Sequence, residues 1–170
     1  LAKSEYFTSP GAKGLLKKLT FIALGQVSVD RSGGRRSEAA LITGLKVLAQ
    51  GACLGIYPEG TRSPDGRLYK GRTGIARLAI ESGAPVIPVA MANTDKIQPT
   101  GKVIPNLHRV EMQFGKPMYF DGDSTDLLYL RDVTDQIMNV IQAMSGQEYV
   151  DTYAPKKSKP DDINVAGEED

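Results

Sequence analysis

Residues 53–63 read CLGIYPEGTRS, an apolar run followed by a polar heptad at residues 57–63. The apolar run predicts a strand over 53–57, and the heptad predicts the loop that leaves it. In open α/β sheets, ligand crevices lie at the carboxyl ends of strands. Arg62 can fork onto a phosphate or carboxylate, and Gly60 lets a backbone N–H approach an anion closely. The stretch therefore predicts an anion site at the end of a strand.

Helical and strand patterns alternate on both sides of the heptad. Apolar stripes at helical spacing, several of them closed by glycine, predict four helices, over residues 9–24, 37–50, about 72–82 and 127–144. Alternating or apolar runs predict further strands at residues 27–30, 86–90 and 110–114. This alternation predicts an α/β fold, with a mostly parallel sheet flanked by helices.

Length and charge describe one domain with two unlike halves. A chain of 170 residues is long enough for a single core. Residues 1–80 carry 13 Lys and Arg against 5 Asp and Glu, whereas residues 81–170 carry 8 against 15. A basic half suggests an anionic partner, for which a phosphorylated small molecule, an acidic lipid surface and nucleic acid all qualify. We expect one domain over 1–154 and a disordered polar tail over 155–170.

Four cations fall in loops that follow predicted strands: Arg31, Arg62, Lys70 and Arg72. Arg31 and Arg62 would converge on one phosphate if their strands are neighbours in the sheet. Glu59 has four possible roles. These are a hydrogen bond to a substrate hydroxyl, the holding of a cation, an ion pair with Arg62, and the stabilisation of a helix start.

Several other kinds of site are disfavoured. His108 is the single histidine, no Gly-x-Ser-x-Gly elbow is present, and no Cys/His cluster could hold zinc. Residues 66–73 have the spacing of a phosphate loop, but Arg72 stands where lysine is required, and the loop starts too far from its strand. Nucleic-acid binding is disfavoured because the first 56 residues carry only three scattered aromatic side chains. Cys53 is predicted to be a core residue.

Four segments together resemble one enzyme family. The heptad at 57–63 is similar to the Phe-Pro-Glu-Gly-Thr-Arg-Ser signature of the glycerophospholipid (1-acyl-glycerol-3-phosphate) acyltransferases, differing only at Tyr57. Residues 25–31, ending in Arg31, resemble the second block of that family. Lys70-Gly71 and residues 86–90 resemble its later blocks. The order and spacing agree over roughly residues 1–120.

The resemblance implies a fold, a reaction and a set of binding residues. The fold would be that of the glycerolphosphate acyltransferases. A fatty acyl group would pass from a thioester of coenzyme A or acyl carrier protein to the free hydroxyl of lysophosphatidate or a related lysophospholipid. Arg31, Arg62 and Lys70 would hold the acceptor's phosphate. Glu59 and Gly60 would help to place its glycerol and shape the site, and Thr61 would be a further substrate-binding residue.

The family's catalytic His-x-x-x-x-Asp block would lie upstream of Arg31, where this sequence lacks it. Because the chain opens on Leu1 without an initiator methionine, we expect a fragment whose catalytic block precedes it. The resemblance further implies no cofactor and a place at the cytoplasmic face of an anionic membrane, peripheral or anchored through the preceding region. The alternative is a phosphate- or lipid-binding module without activity.

Overall fold

The computed structural model describes residues 2–3, 28–29, 36–97 and 106–155. Helices and short strands alternate along these residues, which confirms the predicted α/β class. The helices are α1 (Arg36–Ala49), α2 (Gly74–Ser82), α3 (Thr94–Ile97) and α4 (Leu127–Ser145). The strands are β1 (Ala2–Lys3), β2 (Ser28–Val29), β3 (Leu68–Tyr69), β4 (Val89–Ala92), β5 (Glu111–Phe114) and β6 (Tyr149–Val150).

The described strands form three pairs, of which two are parallel. β1 lies parallel to β2, and β3 lies parallel to β6 with Leu68 opposite Tyr149. β4 and β5 run antiparallel, with Met91 opposite Met112. The β3–β6 pair brings a segment just after the heptad against the residues that follow α4. This pairing positions the candidate site.

Helix α4 supplies the centre of the core. Its N-terminus is capped by Asp126, whose carboxylate accepts the backbone N–H groups two and three residues on. Val133, Ile137 and Met138 are 0% exposed. Val133 and Ile137 are four residues apart and share one face of the helix, and Met138 widens the buried arc by about 100°. The helix ends at Gly146, which has a φ of 67°. The predicted helix is confirmed, and it lies against β4, while Leu127 at the start of its predicted stripe is exposed.

Helices α1 and α2 pack on each other beside this core. Gly44 in α1 lies so close to Leu78 of α2 that an added Cβ would sit 2.9 Å from that side chain. Ala76 of α2 joins the buried cluster under α4. Gly83 ends α2 as predicted, with a φ of 63°. α1 begins at Arg36, one residue before the predicted cap at Ser37.

Three strand boundaries differ from the predictions. Residues 53–57 are irregular, so the predicted strand there is wrong. A strand needs a neighbour to satisfy its N–H and C=O groups, and the described residues pair none with this run. Conversely, β3 lies in the stretch between the predicted strand at 53–57 and the predicted helix at about 72–82, where a loop was expected, because β6 provides it with a partner. The predicted 86–90 strand begins at Val89, and Val86 makes only a single bridge to Met118.

Several predictions fall outside the described residues: the helix over 9–24, the basic turn that contains Arg31, and the tail beyond Pro155. Among the helices of the described part, none has the length and apolar content needed to cross a membrane.

Candidate functional site

The heptad forms a tight turn that is fastened to the segment following β3. Gly60 donates its N–H to the carbonyl of Tyr57 at 3.0 Å and has a φ of 73°, a conformation that favours glycine. The carbonyl of Pro58 accepts the N–H of Arg72 at 2.9 Å. Residues 57–72 are therefore a closed loop, which we call the heptad loop. A closed loop orients its side chains better than an open one.

Glu59 ties the loop to β3. Its Oε2 accepts the backbone N–H of Tyr69 at 3.0 Å. Burial raises the pKa of Glu59, and the nearby charge of Asp65 raises it further, while the Tyr69 hydrogen bond opposes the shift. The structure shows a role that the sequence did not predict for this carboxylate, which is to accept a backbone N–H. Glu59 shapes the loop from within.

Gly60 makes room for Arg72. A Cβ added at Gly60 would lie 3.1 Å from both Cδ and Nε of Arg72. The guanidinium carbon of Arg72 lies 4.9 Å from the ring centroid of Tyr153. Since the N–H of Gly60 is already used within the turn, the glycine here serves a close side-chain approach rather than a backbone contact with an anion.

A polar cluster stiffens the far end of the loop. Asp65 Oδ2 accepts from Arg67 Nε at 2.8 Å and from the Tyr69 hydroxyl at 2.9 Å. The Arg67 hydrogen bond holds the pKa of Asp65 well below its usual range, and Asp65 in turn raises the pKa of Arg67. Arg67 Nη1 also lies 3.5 Å from Oε1 of Glu148, in the short segment between α4 and β6.

Lys70 is paired across the β3–β6 junction. Its Nζ lies 2.7 Å from Asp151 Oδ1, and its backbone N–H donates to the carbonyls of Val150 and Thr152. The hydrogen bond to Asp151 raises the pKa of Lys70 and lowers that of Asp151, so the two shifts agree. An anion bound by this ammonium would have to share it with Asp151.

Gly71 is a packing residue. Its Cβ position lies 2.9 Å from both Cγ and Sδ of Met138 in α4. Its carbonyl accepts from Arg131 at 2.7 Å, and the same guanidinium makes a two-point ion pair with Asp135. The glycine of the Lys70-Gly71 pair therefore lets the heptad loop lie directly on the core helix.

The structure thus joins some of the predicted site residues and not others. Glu59 and Gly60 lie in one turn, and this turn is linked to the strand segment that precedes Lys70. Thr61 and Arg62 lie exposed on the same loop. Arg31 lies outside the described residues, so its convergence with Arg62 stays a prediction.

Two residues near the centre of the site were missed: Asp151 and Tyr153. Both lie at the end of the predicted domain, 81 residues beyond their partners Lys70 and Arg72. A spacing of that length carries no periodic or motif signal. Only the β3–β6 pairing brings them to the loop.

The cysteine and histidine stand apart from this constellation. Cys53 is exposed, so its prediction as a core residue is wrong; the apolar run that holds it does not form a buried strand. His108 is exposed, and its Nδ1 lies 3.1 Å from the carbonyl of Arg109. In the described ranges, no group of three or more His, Cys, Asp or Glu residues could hold a metal ion.

The fold is shared with a solved protein. The crystal structure of the 1-acyl-sn-glycerophosphate acyltransferase PlsC from Thermotoga maritima superposes with a TM-score of 0.57 at 22% identity, covering 84% of this chain and 55% of that one. This likeness confirms the predicted acyltransferase-like α/β fold.

The sequence comparisons define the family. A family model described as Acyltransferase matches residues 1–92, more than half of the chain. The chain belongs to this acyltransferase family.

Named relatives agree with this assignment. A chloroplastic 1-acyl-sn-glycerol-3-phosphate acyltransferase of Brassica napus is 37% identical over 106 residues, 62% of this chain and 30% of that protein. A 1-acyl-sn-glycerol-3-phosphate acyltransferase of Borreliella burgdorferi is 32% identical over 77 residues, 45% of this chain and 31% of that protein. The matched part spans about a third of the length of these relatives.

Proposed function

We propose that this chain forms the acceptor-binding side of an enzyme that acylates lysophosphatidate in phospholipid synthesis. The observation that carries the proposal is the heptad loop, in which an exposed Arg62 follows a turn fixed by the Glu59–Tyr69 hydrogen bond. The names of the relatives, 1-acyl-sn-glycerol-3-phosphate acyltransferases, point to the same acceptor. A phosphate on that acceptor matches the chemistry of the loop.

The proposed reaction transfers an acyl group from a thioester to a hydroxyl, which gives an oxygen ester and a free thiol. A general base takes the proton of the acceptor's free hydroxyl, and the resulting oxygen attacks the thioester carbonyl. The C–S bond then breaks and the thiol carrier leaves with a proton. His108 is the single histidine of the chain, and Gln113 stands five residues after it, where the family block has Asp. The proposal therefore assigns the base to a His-x-x-x-x-Asp block upstream of these residues.

The loop would contribute positioning rather than proton transfer. Arg62 would fork onto the phosphate, beside Thr61, and Arg31 would join it from the basic turn. Lys70 would add a smaller share, because its ammonium is already compensated by Asp151 at 2.7 Å. Holding the acceptor in a near-attack geometry lowers the barrier by several kcal/mol, at the order-of-magnitude level.

The thioester donor is proposed as acyl-coenzyme A or acyl carrier protein. The basic first half of the sequence supports a position at the cytoplasmic face of an anionic membrane, where a lysophospholipid is presented. Assays of the full-length protein with both donors, on vesicles with and without anionic lipid, separate these possibilities.

Arg62→Ala in the full-length protein tests the assignment. We expect the KM for lysophosphatidate to rise about tenfold or more, since a charge-assisted hydrogen bond is lost, while the donor KM changes little. Arg77→Ala is the matched control, because that arginine is paired with Glu38 and Glu81 on the helices. An unchanged acceptor KM would remove Arg62 from the site.

The alternative, a binding module without activity, predicts a different pattern. Full-length protein would then bind lysophosphatidate but turn over neither donor, and the upstream sequence would lack His-x-x-x-x-Asp. Turnover that depends on such a histidine excludes this alternative.

A further inference from the structure

Arg72 lies against the heptad turn and is held by three contacts from two segments, the turn itself and the residues after β6. Its backbone N–H donates to Pro58 at 2.9 Å, its Cδ and Nε lie over Gly60, and its guanidinium lies over the ring of Tyr153. Such an arrangement restricts a long side chain that would otherwise sample many rotamers. The positive charge is thus fixed beside the heptad.

Other arginines of the described part are held in a different way. Arg67, Arg77 and Arg131 each lie within ion-pair distance of a carboxylate. Within residues 36–97 and 106–155, no carboxylate lies that close to Arg72. Its charge is therefore oriented by packing and not neutralised by a partner in the same segments.

Within the described residues, no hydrogen bond or ion pair takes up the guanidinium donors of Arg72. Its guanidinium carbon lies 4.9 Å from the Tyr153 ring centroid, a cation–π contact that holds the charge in place. The ring also shields the guanidinium from water on that side, which strengthens the hydrogen bonds that it makes elsewhere. Tyr153 is 48% exposed, so the stack lies at the surface, where a ligand can reach it.

We propose that Arg72, positioned by Tyr153, is a second guanidinium for the phosphate of the acceptor, beside Arg62. This inference rests on the proposed acceptor-binding function and adds two residues to it. Tyr153 lies well outside the family match at residues 1–92. The segment after β6 thereby becomes part of the site and not merely the end of the domain.

Steady-state kinetics of the full-length protein with lysophosphatidate test the role of Arg72. Arg72→Ala should raise the acceptor KM about tenfold, with little change in the donor KM. Arg77→Ala again serves as the control and should leave both constants unchanged. An acceptor KM that stays unchanged in Arg72→Ala, with activity retained, overturns the inference and leaves the proposed function standing.

A pair of variants at Tyr153 tests the positioning role. Tyr153→Leu removes the ring and should raise the acceptor KM about threefold at unchanged kcat, while Tyr153→Phe keeps the ring and should restore the original KM. A purely structural role would lower kcat or the folded fraction in Tyr153→Leu and leave the acceptor KM unchanged. That result contradicts the positioning role.

A binding measurement keeps the inference testable if no turnover is found. Phosphatidylcholine vesicles containing lysophosphatidate, compared with vesicles containing monoacylglycerol, report whether the protein distinguishes the phosphate. Preferential binding that Arg72→Ala reduces and Arg77→Ala retains supports the inference even where the acyl transfer fails. No preference for lysophosphatidate overturns it.

Discussion

The face of α4 and the heptad loop are held in place by different forces. In α4, the side chains of Val133, Ile137 and Met138 are completely buried, and they stabilise the fold through apolar packing alone. The heptad loop is fastened by hydrogen bonds and ion pairs, from Glu59 to Tyr69 and from Lys70 to Asp151. The difference teaches that apolar burial in the core stabilises the fold, whereas the acidic side chains around the heptad loop fix the shape of that loop. Under the proposed function, binding of the anion falls to the arginines.

The largest expected effect is a loss of core packing. Ile137→Ala removes a side chain that is 0% exposed and should lower the free energy of unfolding by about 2–5 kcal/mol, since a cavity remains. Leu128→Ala, on the same helix but 83% exposed, should change it by no more than about 0.5 kcal/mol. Urea denaturation of both variants checks the comparison. Similar losses in the two would mean that α4 does not bury the described face.

The contact between the two regions is tested at Gly71. Gly71→Ala places a Cβ 2.9 Å from Met138, and the resulting overpacking should destabilise the protein by about 1–3 kcal/mol. Gly55→Ala is the control, because nothing lies within 4 Å of its Cβ position. If urea denaturation gives the two variants equal stability, the loop does not rest on α4 as described.

The polar tie of the loop is tested at Glu59. Glu59→Ala leaves the Tyr69 N–H without its acceptor and should cost about 1–3 kcal/mol, whereas Glu59→Gln retains an acceptor oxygen and should cost less. Chemical denaturation at several pH values measures both. Equal losses in the two variants would exclude the hydrogen bond as the source of the stability.

The raised pKa of Glu59 also predicts a pH dependence. An acid with a folded pKa above its unfolded value holds more protons in the folded state, so the free energy of unfolding falls as pH rises between the two values. The interval begins near the ordinary pKa of a glutamate and extends upward. In the Glu59→Gln variant, the free energy of unfolding should not show this decrease over the same pH interval. An identical pH profile in that variant would contradict the shift.

The smallest effect is expected at the exposed Lys70–Asp151 pair. Asp151→Asn should lower the unfolding midpoint slightly at low ionic strength, and the difference should vanish in high salt because exposed charges are screened. The lowered pKa of Asp151 means that its stabilisation is present above the unfolded pKa and is lost as pH falls through the folded value. A large, salt-independent loss would show that the pair is not a surface pair.

Local patterns predicted three of the four helices of the described part, and the four-residue α3 was not predicted. The 127–144 stripe and the glycine stop at Gly83 depend on neighbours within a few residues, so sequence spacing reports them directly. The strands were predicted less well, because each requires a partner distant in sequence. Residues 53–57 lack a described partner and are irregular, whereas Leu68–Tyr69, inside a predicted loop, pairs with β6.

For the candidate site, the sequence alone determined the family signature at 57–63 and the loop that contains it. The chemistry of Arg62 follows from its residue type, whereas the turn that Gly60 closes on Tyr57 was not predicted. Only the tertiary structure decided that Glu59 binds a backbone N–H, that Lys70 is paired with Asp151, and that Tyr153 covers Arg72. The reason is physical: these contacts depend on how the chain end returns through β6, and such long-range pairing leaves no local pattern in the sequence.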